Sequence, residues 1–126
     1  MKHLFVPYNI ALMAKEKGFV DPCIAKYQNM KNPKFPGDFL SRTDWDVEFI
    51  NRPEIKQLAA PLYQQLVDWF RNKHGIVIWI ETAPYVYTFN FRFYIETYDN
   101  RLEGHKSKDY YKVYNEALIE GFKLIK

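Results

Sequence analysis

A chain of 126 residues and 15.2 kDa is enough for one ordinary domain and too little for two. Apolar residues make up 48% and charged residues 26%, the balance of a folded globular protein rather than a disordered one. Eighteen Lys and Arg against 15 Asp and Glu leave a net charge of +3, too mild to demand a nucleic-acid or membrane partner. Aromatics reach a high 18%. Cys23 is the single cysteine, so no intrachain disulfide is possible, which suits a reducing cytoplasm. The run Met1 to Pro7 lacks the apolar core of a secretory signal, and no stretch approaches the roughly 18 apolar residues of a membrane span. The expected localisation is the cytoplasm, with no membrane partner.

In chain order, Pro7 to Lys17 predicts a first helix with Tyr8, Ala11, Leu12 and Lys15 at helical spacing and Gly18 as its left-handed stop. Phe19 then folds back onto that helix. Asp21-Pro22 marks a turn, and Cys23 to Tyr27 reads as a short strand. Asn29 to Gly37, broken by Pro33, Pro36 and Gly37, is a loop. From Thr43 to Ile50, Trp45, Val47 and Phe49 alternate with Asp44, Asp46 and Glu48, a period of two that implies a strand; a helical turn capped by Asp44 is the competing reading. Arg52 to Ala60 is ambiguous, with a short helical turn as its reading.

Pro61 opens a second helix, with Leu62, Tyr63, Leu66, Val67, Trp69 and Phe70 in one apolar stripe and Gly75 as its end. Lys73 and His74 fall in the last turn, where the helix dipole favours positive charge. The clearest pattern follows. Ile76, Ile78 and Ile80 alternate with Val77, Trp79 and Glu81; Ala83-Pro84 reads as a turn. Tyr85, Tyr87, Phe89, Phe91, Phe93 and Ile95 then alternate with Thr88, Asn90, Arg92, Tyr94 and Glu96. Two alternating runs about a short turn are an antiparallel hairpin. Asp99 to Asp109 reads as a polar loop. A last helix, capped by Ser107 or Asp109, carries Tyr110, Tyr114, Ala117, Leu118, Gly121 and Ile125 along one side. The expected class is α+β: a single two-layer domain over residues 1–126, an antiparallel sheet with a long aromatic hairpin packed against two or three helices.

The aromatic row from Tyr85 to Phe93 carries no charge and belongs to the core. Candidate ligand- or partner-binding residues lie on the opposite face of the hairpin: Trp79, Thr88, Asn90, Arg92 and Tyr94, an aromatic platform beside a guanidinium. Arg101, Lys106, Lys108 and Lys112 are the candidates for phosphate binding, near the start of the last helix. The acidic row Asp44, Asp46 and Glu48 reads as a solvated strand face rather than a cation site. His3, His74 and His105 lie too far apart in sequence for a metal motif, and Cys23 reads as buried rather than nucleophilic. No catalytic residue, metal or cofactor is assigned, since no phosphate loop, dinucleotide fingerprint or nucleophile elbow is present.

Two stretches carry a resemblance: Phe5-Val6-Pro7-Tyr8 through Lys17-Gly18-Phe19 and Asp21-Pro22-Cys23-Ile24-Ala25, and Ala60-Pro61-Leu62-Tyr63-Gln64-Gln65 through Trp69-Phe70-Arg71 and Gly75. Together they resemble a group of small bacteriophage and prophage proteins of gut bacteria, to which no activity is attached. The resemblance implies a setting and carries no mechanism. From Pro61 onward the order helix-hairpin-helix is also similar to that of double-stranded RNA-binding domains, at the level of element order alone. The expected function is a small non-enzymatic binding protein acting through protein–protein contact or self-association, such as a homodimer. The alternative is a nucleic-acid or nucleotide binder using the outward aromatic and arginine face with the basic loop.

Overall fold

A computed structural model of the chain describes residues 4–28, 39–42, 49–51, 58–85 and 88–125. The order of elements is α1 (Tyr8–Glu16), β1 (Ala25–Gln28), β2 (Phe39–Arg42), β3 (Leu58–Ala59), α2 (Tyr63–His74), β4 (Val77–Tyr85), β5 (Thr88–Glu96), β6 (Arg101–Glu103) and α3 (Tyr110–Lys123). The fold is α+β, with its strands divided between two small antiparallel sheets, ordered β2-β1-β3 and β4-β5-β6. The chain sorts into two compact units, Met1–Leu66 and Val67–Lys126, with the boundary inside α2.

In the first unit, Pro7 stands at the N-cap of α1, its ring holding φ at −67° while a ψ of 166° keeps the residue extended ahead of the helix. Gly18, at φ +90°, ends it. The Phe19 amide donates to the Ala14 carbonyl (2.9 Å) and the Gly18 amide to that of Lys15 (3.1 Å). This pair of bonds closes the last turn on a left-handed residue. Phe19, fully buried, folds back as expected. The buried stripe of α1 is Ile10, Ala11 and Ala14, turned from the expected one, since Tyr8 and Leu12 are only half-buried. β1 pairs with β2 (Ala25 opposite Arg42) and with β3 (Tyr27 opposite Leu58). Phe49 exchanges two backbone bonds of 2.8 Å with Cys23. The remainder of the predicted acidic strand, Asp44 to Glu48 with Trp45, lies outside the described residues, as does the loop from Asn29 to Gly37. β3 resolves part of the ambiguous stretch before Pro61.

In the second unit, β4 and β5 form the predicted hairpin in the register Ile78 opposite Ile95 and Ile80 opposite Phe93. Ile76, Ile78, Phe93 and Ile95 are buried. Trp79, Arg92 and Tyr94 remain half-buried, and Glu81 and Glu96 are exposed. The alternation holds over Ile76 to Trp79 and Phe93 to Glu96; towards the tip Ile80 and Phe91, expected inward, are half-buried like Trp79, Asn90 and Arg92, and the side chains of Tyr85, Tyr87 and Phe89 lie outside the described residues. The expected turn does not fall at Ala83-Pro84. Both residues are paired within β4, opposite Asn90 and Phe89, and the strands extend to Tyr85 and Thr88. Proline is tolerated because β4 is at the edge of its sheet, where a missing ladder donor costs little. The stretch expected to be a polar loop contains β6, antiparallel to β5.

One face of this sheet packs against helix. The buried side of α3 is Val113, Ala117, Leu118, Gly121 and Phe122. The expected stripe is thus corrected at both ends: Tyr110 is 38% exposed, and Tyr114 and Ile125 are half-buried. Residues Ala117, Leu118 and Gly121 were shared by the two; the addition of Val113 and Phe122 rotates the buried line towards the sheet. Gly121 allows close approach, for a Cβ there would sit 2.9 Å from Ile78 Cδ1 and 3.2 Å from the Phe70 ring. Trp69, Phe70 and Phe122 complete an aromatic core, with the Phe70 and Phe122 rings 4.9 Å apart.

Candidate functional site

The outward face of the β4-β5-β6 sheet is organised by register. Directly opposed residues of an antiparallel ladder share a face. The pairings give three rows: Val77, Glu96 and Arg101; Trp79, Tyr94 and Glu103; Glu81 and Arg92. Trp79 and Tyr94 stack across the strands with ring centroids 5.4 Å apart and planes 15° from parallel. The Arg101 guanidinium lies over both rings, 5.6 Å from Trp79 and 5.1 Å from Tyr94. Such a cation on paired aromatic faces is held by the ring quadrupoles. The Trp79 indole N–H donates to Glu81 Oε1 at 3.1 Å, which fixes the ring's azimuth. Arg92, with Glu81 so engaged, lies 3.7 Å from Glu103 instead, and its Nε is buried without a partner.

The structure thus brings Trp79, Arg92 and Tyr94 together with Arg101, which the sequence placed in a separate group of candidates. Asn90 lies half-buried further along β5, opposite Ala83; Thr88 stands at the start of that strand, its side chain outside those described. Arg101 joins the platform because the β5–β6 turn delivers it there. The Thr97 amide donates to the Asn100 carbonyl (2.8 Å), and Asn100 Oδ1 accepts from the Arg101 amide (2.8 Å). Asp99-Asn100 followed by the alternating Arg101-Leu102-Glu103 was the available signal for this hairpin.

The charges on this face alternate. Glu81, Glu96 and Glu103 oppose Arg92 and Arg101, so a polyanion laid along it would meet more carboxylates than guanidiniums. Lys106, Lys108 and Lys112 stand apart from it, exposed at the connection into α3. The first turn of α3 is already served: Asp109 Oδ1 accepts from the Lys112 amide at 3.1 Å, so the helix end carries its own anion.

A half-open cavity of about 400 Å³ is lined by Phe93, Leu102, Glu103, Gly104 and His105 from β5, β6 and the segment after it, and by Glu116 and Glu120 of α3. Glu120 pairs with Lys123 at 3.0 Å. Among the described residues, no group of three His, Cys, Asp or Glu could hold a metal ion. His74 stacks edge-on against Trp69 at 4.7 Å, and its Nε2 is buried without a partner. Burial, and next the charge of Lys73, lower its pKa, so the expected dipole-stabilised cation is a neutral ring. Cys23 is buried, and burial, reinforced by Asp21, pushes its thiol up to about 12, outside the range of a nucleophile. No helix of the described residues is long and apolar enough to cross a membrane. Compared with family models, curated proteins and solved structures, the chain matches none.

Proposed function

We propose that this chain is a small non-enzymatic binding protein that works through protein–protein contact on the outward face of β4, β5 and β6, with a second copy of itself as the first partner. The observation that carries this reading is the Trp79–Tyr94 stack beneath Arg101. Trp, Tyr and Arg are the residues that dominate interface energetics, and here all three are held in one rigid, partly desolvated group. Alternating charge favours a protein over a polyanion. It also favours a two-fold arrangement, since Arg92 and Arg101 of one copy can meet Glu81, Glu96 and Glu103 of the other. The proposed setting is the cytoplasm of an infected or lysogenic bacterium, a reading supported by the resemblance of two sequence segments to phage and prophage proteins.

Sedimentation equilibrium across a wide concentration range tests the reading. The expected result is a mass rising from monomer to dimer. Trp79→Ala and Arg101→Glu each weaken association by about 30-fold or more, the effect of losing a hot-spot residue, while thermal unfolding remains cooperative. A protein that stays monomeric at every concentration overturns self-association. Binding that survives both substitutions removes this face from the proposal.

A further inference from the structure

We infer that two copies of the chain meet on the β4-β5-β6 face with their strands crossed, and that two ion pairs, each repeated across the two-fold axis, select this arrangement: Arg101 of one copy with Glu81 of the other, and Arg92 with Glu103. The inference rests on the self-association proposed above and assigns its geometry. The register lays the outward side chains on a grid whose columns are β4, β5 and β6. Its rows are Val77-Glu96-Arg101, Trp79-Tyr94-Glu103 and Glu81-Arg92. Columns stand about 4.8 Å apart and rows about 6.8 Å apart, two residues of an extended strand. Tyr94 is the centre of the grid. Arg101 and Glu81 lie at opposite corners, about 17 Å from each other with Tyr94 midway.

Two like sheets packed face to face are related by an axis in the plane between them, with strands aligned or nearly orthogonal. An axis along the strands through Tyr94 lays Trp79 on Glu103 and sets Arg92 and Glu96 each against its own copy, like charge on like. An axis across the strands brings Arg92 to Glu96, but it sets Glu103 on Glu103 and leaves Arg101 without a carboxylate. An oblique axis, perpendicular to the line from Arg101 to Glu81, exchanges those two corners. The same rotation carries Glu103 to within about 3 Å, in projection, of Arg92. Arg92 and Glu103 are already 3.7 Å apart within one copy, so the two pairs merge into a ring of four alternating charges. The strands cross at about 70°, in the orthogonal class. Tyr94 falls on the axis with Trp79 beside it, which puts the rings at the centre and the charges around them. The corner groups are held in advance. Glu81 accepts from the Trp79 indole through Oε1 alone, and the Arg101 guanidinium is seated on the two rings.

Sedimentation equilibrium of charge-reversed variants, alone and mixed, tests the pairing. Within one copy Glu81 and Arg101 are too far apart to form an ion pair, so a rescue through them can arise only between copies. Glu81→Arg alone and Arg101→Glu alone set like charges together at both corners, and each weakens self-association by about 10-fold or more while thermal unfolding stays cooperative. An equimolar mixture of these two variants restores opposite charge at both corners, and its association returns to within about 3-fold of the natural protein's. A mixture of Arg92→Glu with Glu96→Arg gains nothing, because the reversed charge at position 92 still faces Glu103 of the other copy. Rescue by that second mixture, or no rescue by the first, in a protein that does dimerise overturns the crossed geometry and leaves self-association standing. A natural protein that stays monomeric removes both.

Discussion

Asn51 is the one polar residue with a described position in the core, 4% exposed. Its Nδ2 donates to the Phe19 carbonyl and its Oδ1 accepts from the Ala59 amide, each at 3.0 Å. The side chain thereby satisfies two buried backbone groups from segments 32 and 8 residues away in sequence. Asn51→Ala leaves both unmet and is expected to cost about 2–4 kcal/mol, read from the urea midpoint. No pattern in the sequence marks this residue, because a latch of this kind is defined by what lies opposite it. His74 gives a pH dependence. Its folded pKa lies below the ordinary 6.5, so the unfolded chain takes up the proton first as pH falls. Stability from the neutral ring is complete above about pH 6.5 and is lost as pH drops through the folded value. Replacing it by Phe keeps the contact with Trp69 and removes the titration. The stability of His74→Phe relative to the natural protein should rise between pH 7 and pH 5 in parallel denaturant titrations; a constant difference contradicts the assignment.

Among the elements, β5 and β6 show what period-two patterning can and cannot convey. The alternation in β4 and β5 fixed which rings look inward, because one wrong step would turn every side chain over. It did not fix where the strands end. Ala83-Pro84 has the composition of a turn, yet pairing continues through it, since strand ends are set by the ladder and not by the dipeptide alone. β6 is only three residues long and has too few positions to show a period. Its register places Gly104 against Phe93: the Gly104 amide donates to the Phe93 carbonyl at 3.0 Å, and a Cβ on Gly104 would meet the Phe93 ring at 2.1–2.7 Å. Gly104→Ala is expected to destabilise the protein by about 1–3 kcal/mol through overpacking, measured by thermal or urea unfolding, and Phe93→Leu in the same background should recover part of that loss. The offset in α3 has a similar origin. Tyr110 and Tyr114 satisfy helical spacing as well as Val113 and Phe122 do, and only the neighbouring sheet decides which line is buried.

For the whole molecule, the three helices, the β4–β5 hairpin and the α+β class were legible because apolar periodicity and the glycines at 18 and 75, both at positive φ, punctuate the chain clearly, whereas the short strands β2, β3 and β6 were not. The division of strands between two sheets was not, since pairing partners such as Cys23 with Phe49 and Lys26 with Ala59 are distant in sequence. The candidate surface was legible in part. Trp79, Arg92 and Tyr94 followed from parity, whereas Arg101 was legible as a cation and not as the lid of an aromatic stack, because its place depends on a hairpin too short to announce itself. A net charge of +3 spread over the chain also concealed two surfaces of different character, one of alternating sign and one of lysines at the connection into α3.

Pro84 bears on what the outer edge of this sheet can template. An outermost strand normally offers a row of amide hydrogens on which a further chain can template itself, the route to fibrils and runaway assembly. A proline inside β4 deletes one hydrogen from that row near the tip of the hairpin. Growth by strand addition is thereby interrupted at this edge of the sheet.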